Sequence, residues 1–152
     1  MSRAFVRESD GDGGDELPER PVSEHPNLVT AEGLAAIDAE LSRLVAELAA
    51  AGDDRAAQAR LGRDLRYWRA RRANAEVIPP PSDSDTVRFG ATVTIARDDG
   101  RAQTWRIVGE DEADPAKGSI SWVSPLARAL SGKRIGDVVT VAGNEAEVVA
   151  IA

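Results

Sequence analysis

The chain is 152 residues long, which fits one ordinary domain or two small ones. It has no cysteine and a single histidine, His25, so disulfides and thiolate metal sites are excluded and histidine-based catalysis is a poor explanation of its function. Three Trp, two Phe and one Tyr are too few to suggest a large aromatic ligand pocket. No apolar run approaches the ~18 residues of a membrane span, and the N-terminus lacks the apolar core of a signal peptide. We therefore expect a cytoplasmic protein without membrane contact.

The net charge of -7 is unevenly distributed along the chain. Residues 1–29 carry about -4 and residues 30–54 about -5, whereas residues 55–81 carry about +5. Opposite signs on successive segments indicate either pairing within the chain or a polar partner surface. Arginines at these spacings also favour a helix in their own right.

Two consecutive segments show the apolar spacing of a coiled coil. Residues 1–29 are rich in Gly, Asp, Glu and Pro, which predicts a disordered acidic tail, and Thr30 then serves as the N-cap of a first helix. That helix ends at Gly52, and its heptad positions are Leu34, Ile37, Leu41, Leu44 and Leu48.

Asp53 or Asp54 caps the second helix, whose heptad positions are Leu61, Leu65, Trp68, Arg72 and Ala75. Two helices joined by so short a turn must pack antiparallel. Each has about 20 residues, and at about 1.5 Å per residue each spans about 30 Å. Acidic side chains of the first helix then face arginines of the second. The pattern predicts a projecting antiparallel coiled-coil hairpin over residues 30–78.

A Pro-rich linker, residues 79–86, separates the hairpin from a C-terminal domain, residues 87–152. From Val87 the apolar period changes to two, through Phe89, Ala91, Val93 and Ile95. The overall prediction is an α+β fold, with a hairpin followed by a small, mostly antiparallel sheet. The other strands are expected at Thr104 to Val108, Ser119 to Val123, Val138 to Val141 and Glu145 to Ile151, with a short helix near 125–131.

Several of these segments resemble the bacterial Gre transcription elongation (transcript-cleavage) factors. The resemblance is carried by FGATVTI from Phe89, IVGEDEAD from Ile107 and SISWVSPLARALSGKRIGD from Ser119. A weaker match covers Thr30, Gly33 and Leu34 and the NAEVI that follows the second helix. The resemblance implies that the C-terminal domain is FKBP-like and docks on the rim of the secondary channel of RNA polymerase. The docking residues that it implies are Val123, Ser124, Pro125 and Leu126.

The hairpin tip departs from the family pattern. Gre factors have an acidic tip close to GD-x-x-ENAEY, which helps hold a second Mg²⁺ at the polymerase active site, whereas this chain has Gly52, Asp53 and Asp54 followed by Arg55. Its hairpin is also several turns shorter. Asp53 and Asp54 are candidate ligands for a Mg²⁺ shared with the polymerase, or else helix caps. We expect no tightly bound cofactor and no intrinsic enzyme activity, only an accessory role in the polymerase's own RNA cleavage.

Within this framework the expected function is binding of bacterial RNA polymerase by a monomer that modulates elongation or backtracking. Arg63, Arg66 and Arg69 are candidates for contacts with nascent RNA or acidic polymerase surface, or for pairs with the first helix. Cleavage stimulation competes with a non-cleaving role in the same channel, as in proteins similar to the regulator of nucleoside diphosphate kinase. A coiled-coil adaptor that does not bind polymerase is another alternative.

Two further alternatives concern the C-terminal domain. An FKBP-like fold also suggests a peptidyl-prolyl isomerase, but that activity needs a deep aromatic pocket and the domain has only Phe89, Trp105 and Trp122. The carboxylates between Glu110 and Asp114 suggest either a metal cluster or a solvated loop.

Overall fold

The computed structural model describes residues 17–152. These residues form an α-helical hairpin with a two-stranded sheet at its base, followed by a five-stranded sheet that packs against one short helix. In chain order the elements are β1 (Asn27–Val29), α1 (Ala31–Ala50), α2 (Arg55–Asn74), β2 (Ala75–Val77), β3 (Thr92–Arg97), β4 (Ala102–Val108), a 3-10 turn (Pro115–Lys117), β5 (Ser119–Ser121), α3 (Pro125–Leu130), β6 (Val138–Val141) and β7 (Asn144–Ile151).

The caps predicted for the hairpin are confirmed. The Thr30 side chain accepts a hydrogen bond from the Gly33 N–H at 3.0 Å and begins α1. Gly52 has a φ of +57°, the left-handed conformation that ends a helix. The core between the helices centres on Leu44, Leu61 and Leu65, with Leu41, Leu48, Ala51, Ala57 and Trp68 packed around it.

At the base of α2 the predicted seam is wrong by one position. Arg72 is exposed and pairs with Asp38 of α1 at 2.7 Å, whereas Arg71 is 1% exposed. The side of α2 that carries Arg71 contacts the C-terminal domain, and acidic side chains of that domain pair with Arg71. These pairs, which the heptad pattern does not take into account, place Arg71 rather than Arg72 in the interior.

The predicted disordered tail is also wrong in part. Asn27–Val29, at its end, form β1, which pairs in parallel with β2 and brings Leu28 opposite Glu76. Val29 is 2% exposed, so this strand closes the open end of the hairpin. Residues 1–16 lie outside the described range.

The C-terminal sheet has the strand order β5-β4-β3-β7-β6. All neighbours are antiparallel except β4 and β5, which agrees with the mostly antiparallel α+β prediction. One face of the sheet is covered by α3, whose Ala127 and Leu130 are buried in the core with Val93, Ile95 and Val148.

β3 begins later than the alternation from Val87 predicts. Gly90 has a φ of +85°, and the Ala91 N–H donates to the Arg88 carbonyl at 3.0 Å, so residues 88–91 form a turn. Phe89 consequently lies half-buried beside the proline linker, outside the sheet core in which it was expected.

We predict that Leu65→Ala destabilises the protein by about 2–5 kcal/mol, because Leu65 is 2% exposed and its truncation leaves a cavity between the helices. Val45→Ala is the control: Val45 is 51% exposed on α1, and its change is expected to stay within about 0.5 kcal/mol. Urea unfolding followed by helical circular dichroism measures both. Equal unfolding midpoints for the two variants would contradict the assignment.

Candidate functional site

The hairpin tip presents its two aspartates differently. Asp54 is the N-cap of α2, and its Oδ1 accepts a hydrogen bond from the Ala57 N–H at 3.1 Å. Gln58 Nε2 donates to the Gly52 carbonyl and closes the turn. Asp53 is exposed and forms no hydrogen bond or ion pair with the described residues. Only one of the two carboxylates is therefore uncommitted, which is a poor fit to a Mg²⁺ site built by this chain alone.

The candidate docking segment, Val123 to Leu126, forms the start of α3. Ser124 is the N-cap, its Oγ accepting from the Ala127 N–H at 3.3 Å, and Pro125 occupies the first helical position. Pro125 is exposed, while Val123 and Leu126 are half-buried and Leu126 packs against the sheet core. The segment is thus held rigidly at the surface, with the proline outermost.

The three candidate arginines of α2 do not pair with α1. Arg66 forms hydrogen bonds to both carboxylate oxygens of Glu19, the shortest 2.6 Å long, and these lower the pKa of Glu19. Arg63 lies 3.4 Å from its neighbour Asp64. Arg69 is exposed and has no carboxylate partner within residues 17–152. The predicted alternative of pairing with the first helix is therefore wrong for all three arginines. Arg69 is the one of the three whose charge has no carboxylate partner among the described residues.

The largest polar network joins the hairpin to the C-terminal domain at Arg71. Its Nε donates to Asp111 Oδ2 at 2.5 Å, and its Nη2 donates to Asn27 Oδ1 at 2.7 Å and lies 3.5 Å from Glu110 Oε2. The Tyr67 hydroxyl donates to the other oxygen of Asp111 at 2.5 Å. Glu110 and Asp111, two of the four carboxylates that the sequence suggested as a metal cluster or solvated loop, instead bind the buried guanidinium.

A second contact joins the same loop to the start of α1. Glu112 accepts from the Thr30 N–H at 3.1 Å and from the Thr30 hydroxyl at 2.5 Å. A Cβ on Gly33 would lie 1.9 Å from Glu112 Oε2, and a Cβ on Gly109 would lie 2.4 Å from the Leu28 carbonyl oxygen. Gly109 is therefore required by the close approach of the loop to the β1 backbone, whereas a side chain at position 33 would displace the Glu112 carboxylate from Thr30.

Residues 17–26 contact both the hairpin and the C-terminal domain, although the sequence predicted a disordered tail here. The Arg20 guanidinium stacks over the Tyr67 ring at 3.9 Å and pairs with Asp64 at 3.4 Å. Further along, the His25 ring meets the Trp122 ring edge-on, with centroids 6.0 Å apart. Polar residues spaced irregularly, without apolar periodicity, gave no signal for this placement.

Other kinds of site find little support in residues 17–152. Within this range no group of three or more His, Asp or Glu side chains is arranged to hold a metal ion. No helix of the described part is both long and apolar enough to cross a membrane. Trp105 and Trp122 pack against the sheet core, whereas Phe89 faces a cleft at the proline linker, so the three aromatic residues do not form the pocket of a prolyl isomerase.

Sequence comparison places this combination of hairpin and sheet in a known family. Residues 81–152 match the model of the transcription elongation factor GreA/GreB C-terminal domain. The chain is 37% identical to the transcription elongation factor GreA of Chloroflexus aggregans over 142 residues, covering 79% of this chain and 90% of the relative. The chain belongs to the GreA/GreB family of transcription elongation factors.

Two further matches differ in how much of the chain they cover. The GreB of Neisseria meningitidis serogroup B is 48% identical over 83 residues, and the chain spans 51% of the length of that relative. Among solved structures, the GreA factor homolog Gfh1 of Thermus thermophilus is 19% identical and aligns with 84% of this chain and 99% of its own, with a TM-score of 0.42. The alignment with the Chloroflexus GreA is 142 positions long but covers only 79% of the 152 residues of this chain. Some positions of that relative therefore have no counterpart in this chain.

We predict that Tyr67 titrates near pH 12. Burial first, and then the hydrogen bond to Asp111, raise the pKa of Tyr67 to about 12 from an ordinary value of about 10. Because the folded value is the higher one, the neutral phenol stabilises the fold below about pH 10, and this contribution is lost as the pH rises through about 12. Tyr67 is the only tyrosine, so tyrosinate absorbance measures it alone.

The control for this titration is the same protein unfolded in urea, in which the midpoint is expected near 10. Asp111→Asn removes the acceptor charge and is expected to lower the native midpoint without reaching the unfolded value, since burial remains. A native midpoint equal to the unfolded one would refute the network.

Proposed function

We propose that this protein binds bacterial RNA polymerase at the secondary channel and modulates elongation or backtracking, with little or no stimulation of transcript cleavage. Membership of the GreA/GreB family supports the polymerase as partner. The observation that carries the second half of the proposal is the use of Asp54 as a helix cap, which leaves Asp53 as the only uncommitted carboxylate of the tip.

Metal-assisted cleavage of a phosphodiester requires hard oxygen ligands that position Mg²⁺ against the reacting phosphate. One exposed carboxylate on a turn is a weak ligand set for that purpose. The helices also have only 20 residues each, or about 30 Å at about 1.5 Å per residue, so the tip extends less far than the family pattern implies. The unmatched positions of the Chloroflexus GreA are consistent with a longer hairpin in that relative.

Docking is assigned to Val123, Ser124, Pro125 and Leu126. The resemblance to the family implies a docking segment at these residues, and their geometry supports an interface because the N-cap of α3 holds them at the surface. Rigid presentation lowers the entropy lost on association. In this proposal the C-terminal domain holds the protein at the channel rim while the hairpin occupies the channel.

A transcript-cleavage assay on backtracked elongation complexes tests the catalytic half. We expect the wild-type protein to give weak or no cleavage, and Asp53→Ala/Asp54→Ala to give the same. Asp54→Asn is the matched variant, because Asn keeps the helix cap, worth about 1 kcal/mol, while removing the charge. Robust wild-type cleavage that is lost in both variants would show that the tip delivers metal.

Equilibrium binding to core polymerase tests the docking half. Pro125→Gln is expected to weaken binding by about tenfold or more, because a neutral, longer side chain disturbs the outermost contact while helix position N1 tolerates it. Pro115→Gln is the control, since Pro115 is an exposed proline in the equivalent first position of the 3-10 turn. Equal binding by the two variants would remove Pro125 from the interface.

A further inference from the structure

The surface around the docking segment has a charge opposite to that of the whole protein. Between Asp114 and Asp137 the chain has four cations and no carboxylate, although its net charge is -7. The two flanking carboxylates are held by their own turns. Asp114 accepts from the Ala116 N–H at 3.2 Å, and Asp137 accepts from the Arg134 N–H at 2.8 Å.

Three of these cations follow directly on the docking segment. Arg128 is exposed on α3, and Lys133 and Arg134 lie in the loop that follows the helix. The Lys133 N–H donates to the Leu130 carbonyl at 3.0 Å, which ties this loop to the helix end. Within the described residues none of the three side chains forms an ion pair.

Most arginines elsewhere in the described chain do have carboxylate partners. The exceptions include Arg60 and Arg69 on α2 and Arg97 on β3, which binds the neutral side chain of Gln103. In a protein rich in carboxylates, Arg128, Lys133 and Arg134 thus form a cluster of cations without ion pairs among the described residues, and the Asp137 carboxylate beside them is bound to the Arg134 N–H. The paired arginines include Arg20, Arg43, Arg66, Arg71, Arg72, Arg88, Arg101 and Arg106.

The N-terminal segment supports Arg128 without neutralising it. Nε2 of His25 lies 3.4 Å from Nη2 of Arg128, and the His25 ring is itself held against Trp122. A neutral imidazole nitrogen can accept a hydrogen bond from the guanidinium but carries no negative charge. The guanidinium is thus oriented, and its charge stays available to a partner.

An exposed apolar side chain lies beside the cations. Ile135 is 61% exposed and directly follows Arg134 in the loop after α3. Apolar contacts surrounded by polar and charged ones are the usual composition of a protein–protein interface. A nucleic acid would instead be favoured by exposed aromatic rings for stacking, which this loop lacks.

We infer that this face, made of Arg128, Lys133, Arg134 and Ile135, binds a carboxylate-rich protein surface of the polymerase next to the docking segment. This assignment depends on the proposed function and adds to it the chemistry of the partner surface. Charges at an interface rim speed association and make the affinity fall with added salt.

The test is equilibrium binding of the full chain to purified core RNA polymerase over a series of KCl concentrations. Arg128→Glu and Lys133→Glu/Arg134→Glu are expected to weaken binding by about tenfold or more at low salt, with a flatter salt dependence. Arg128→Lys, which keeps the charge, is expected to retain most of the affinity. Arg101→Glu is the control, because Arg101 has 82% of its side chain exposed in the turn between β3 and β4.

Each outcome decides between distinct possibilities. If the reversed variants bind like Arg101→Glu while Pro125→Gln is defective, docking stands and the acidic partner surface is wrong. If the wild-type protein does not bind polymerase at all, the proposed function falls as well. If the reversals weaken binding only to elongation complexes that contain RNA, the anion is nucleic acid and the assignment to a protein surface is overturned. Unchanged circular dichroism spectra establish that the variants are folded.

Discussion

The buried ion pair between Arg71 and Asp111 is the constraint on which the arrangement of this molecule depends. Arg71 is 1% exposed, and its guanidinium is satisfied by Asp111, Glu110 and the Asn27 side chain. Loss of one partner from such a pair typically costs about 3–5 kcal/mol, since a charge is left uncompensated in the interior. Arg71 lies on α2, Asn27 lies in β1, and Glu110 and Asp111 lie in the loop after β4. The pair therefore fixes the direction of the hairpin relative to the sheet, and with it the relation between the hairpin tip and the docking segment.

Two motifs that are far apart in sequence meet in the second contact of this joint. Thr30 and Gly33 begin α1, and Gly109 and Glu112 belong to the loop after β4. Glu112 completes the capping of α1 through the Thr30 backbone and hydroxyl, while the two glycines leave room for the carboxylate and for the Leu28 carbonyl. The acidic run of this loop thus has a structural explanation within this chain.

The local patterns predicted the elements well, and non-local contacts account for the errors. The heptad spacing of Leu44 and Leu65 and the caps Thr30 and Gly52 require only neighbours in sequence, so the hairpin was predictable. By contrast, the burial of Arg71 in place of Arg72 depends on Asp111, about 40 residues away. Similarly, β1 forms only because β2 lies beside it, and no property of Asn27–Val29 alone indicates a strand. Among the candidate site residues, a capping aspartate at Asp53 or Asp54 followed from the sequence, whereas the contact of Arg66 with Glu19 did not.

The short tip limits what its carboxylates can do. In a turn as tight as Ala51 to Asp54, the carboxylate at the start of α2 is the residue that must satisfy the free N–H groups of that helix. A longer acidic tip has residues to spare, so that one carboxylate caps the helix and others remain for a metal ion. Here the same atoms would have to serve both purposes, and the Asp54 cap is formed within the chain before any polymerase is present. In the function proposed above the protein acts by occupying the channel, and neither the joint at Arg71 nor the proposed docking face depends on the chemistry of the tip.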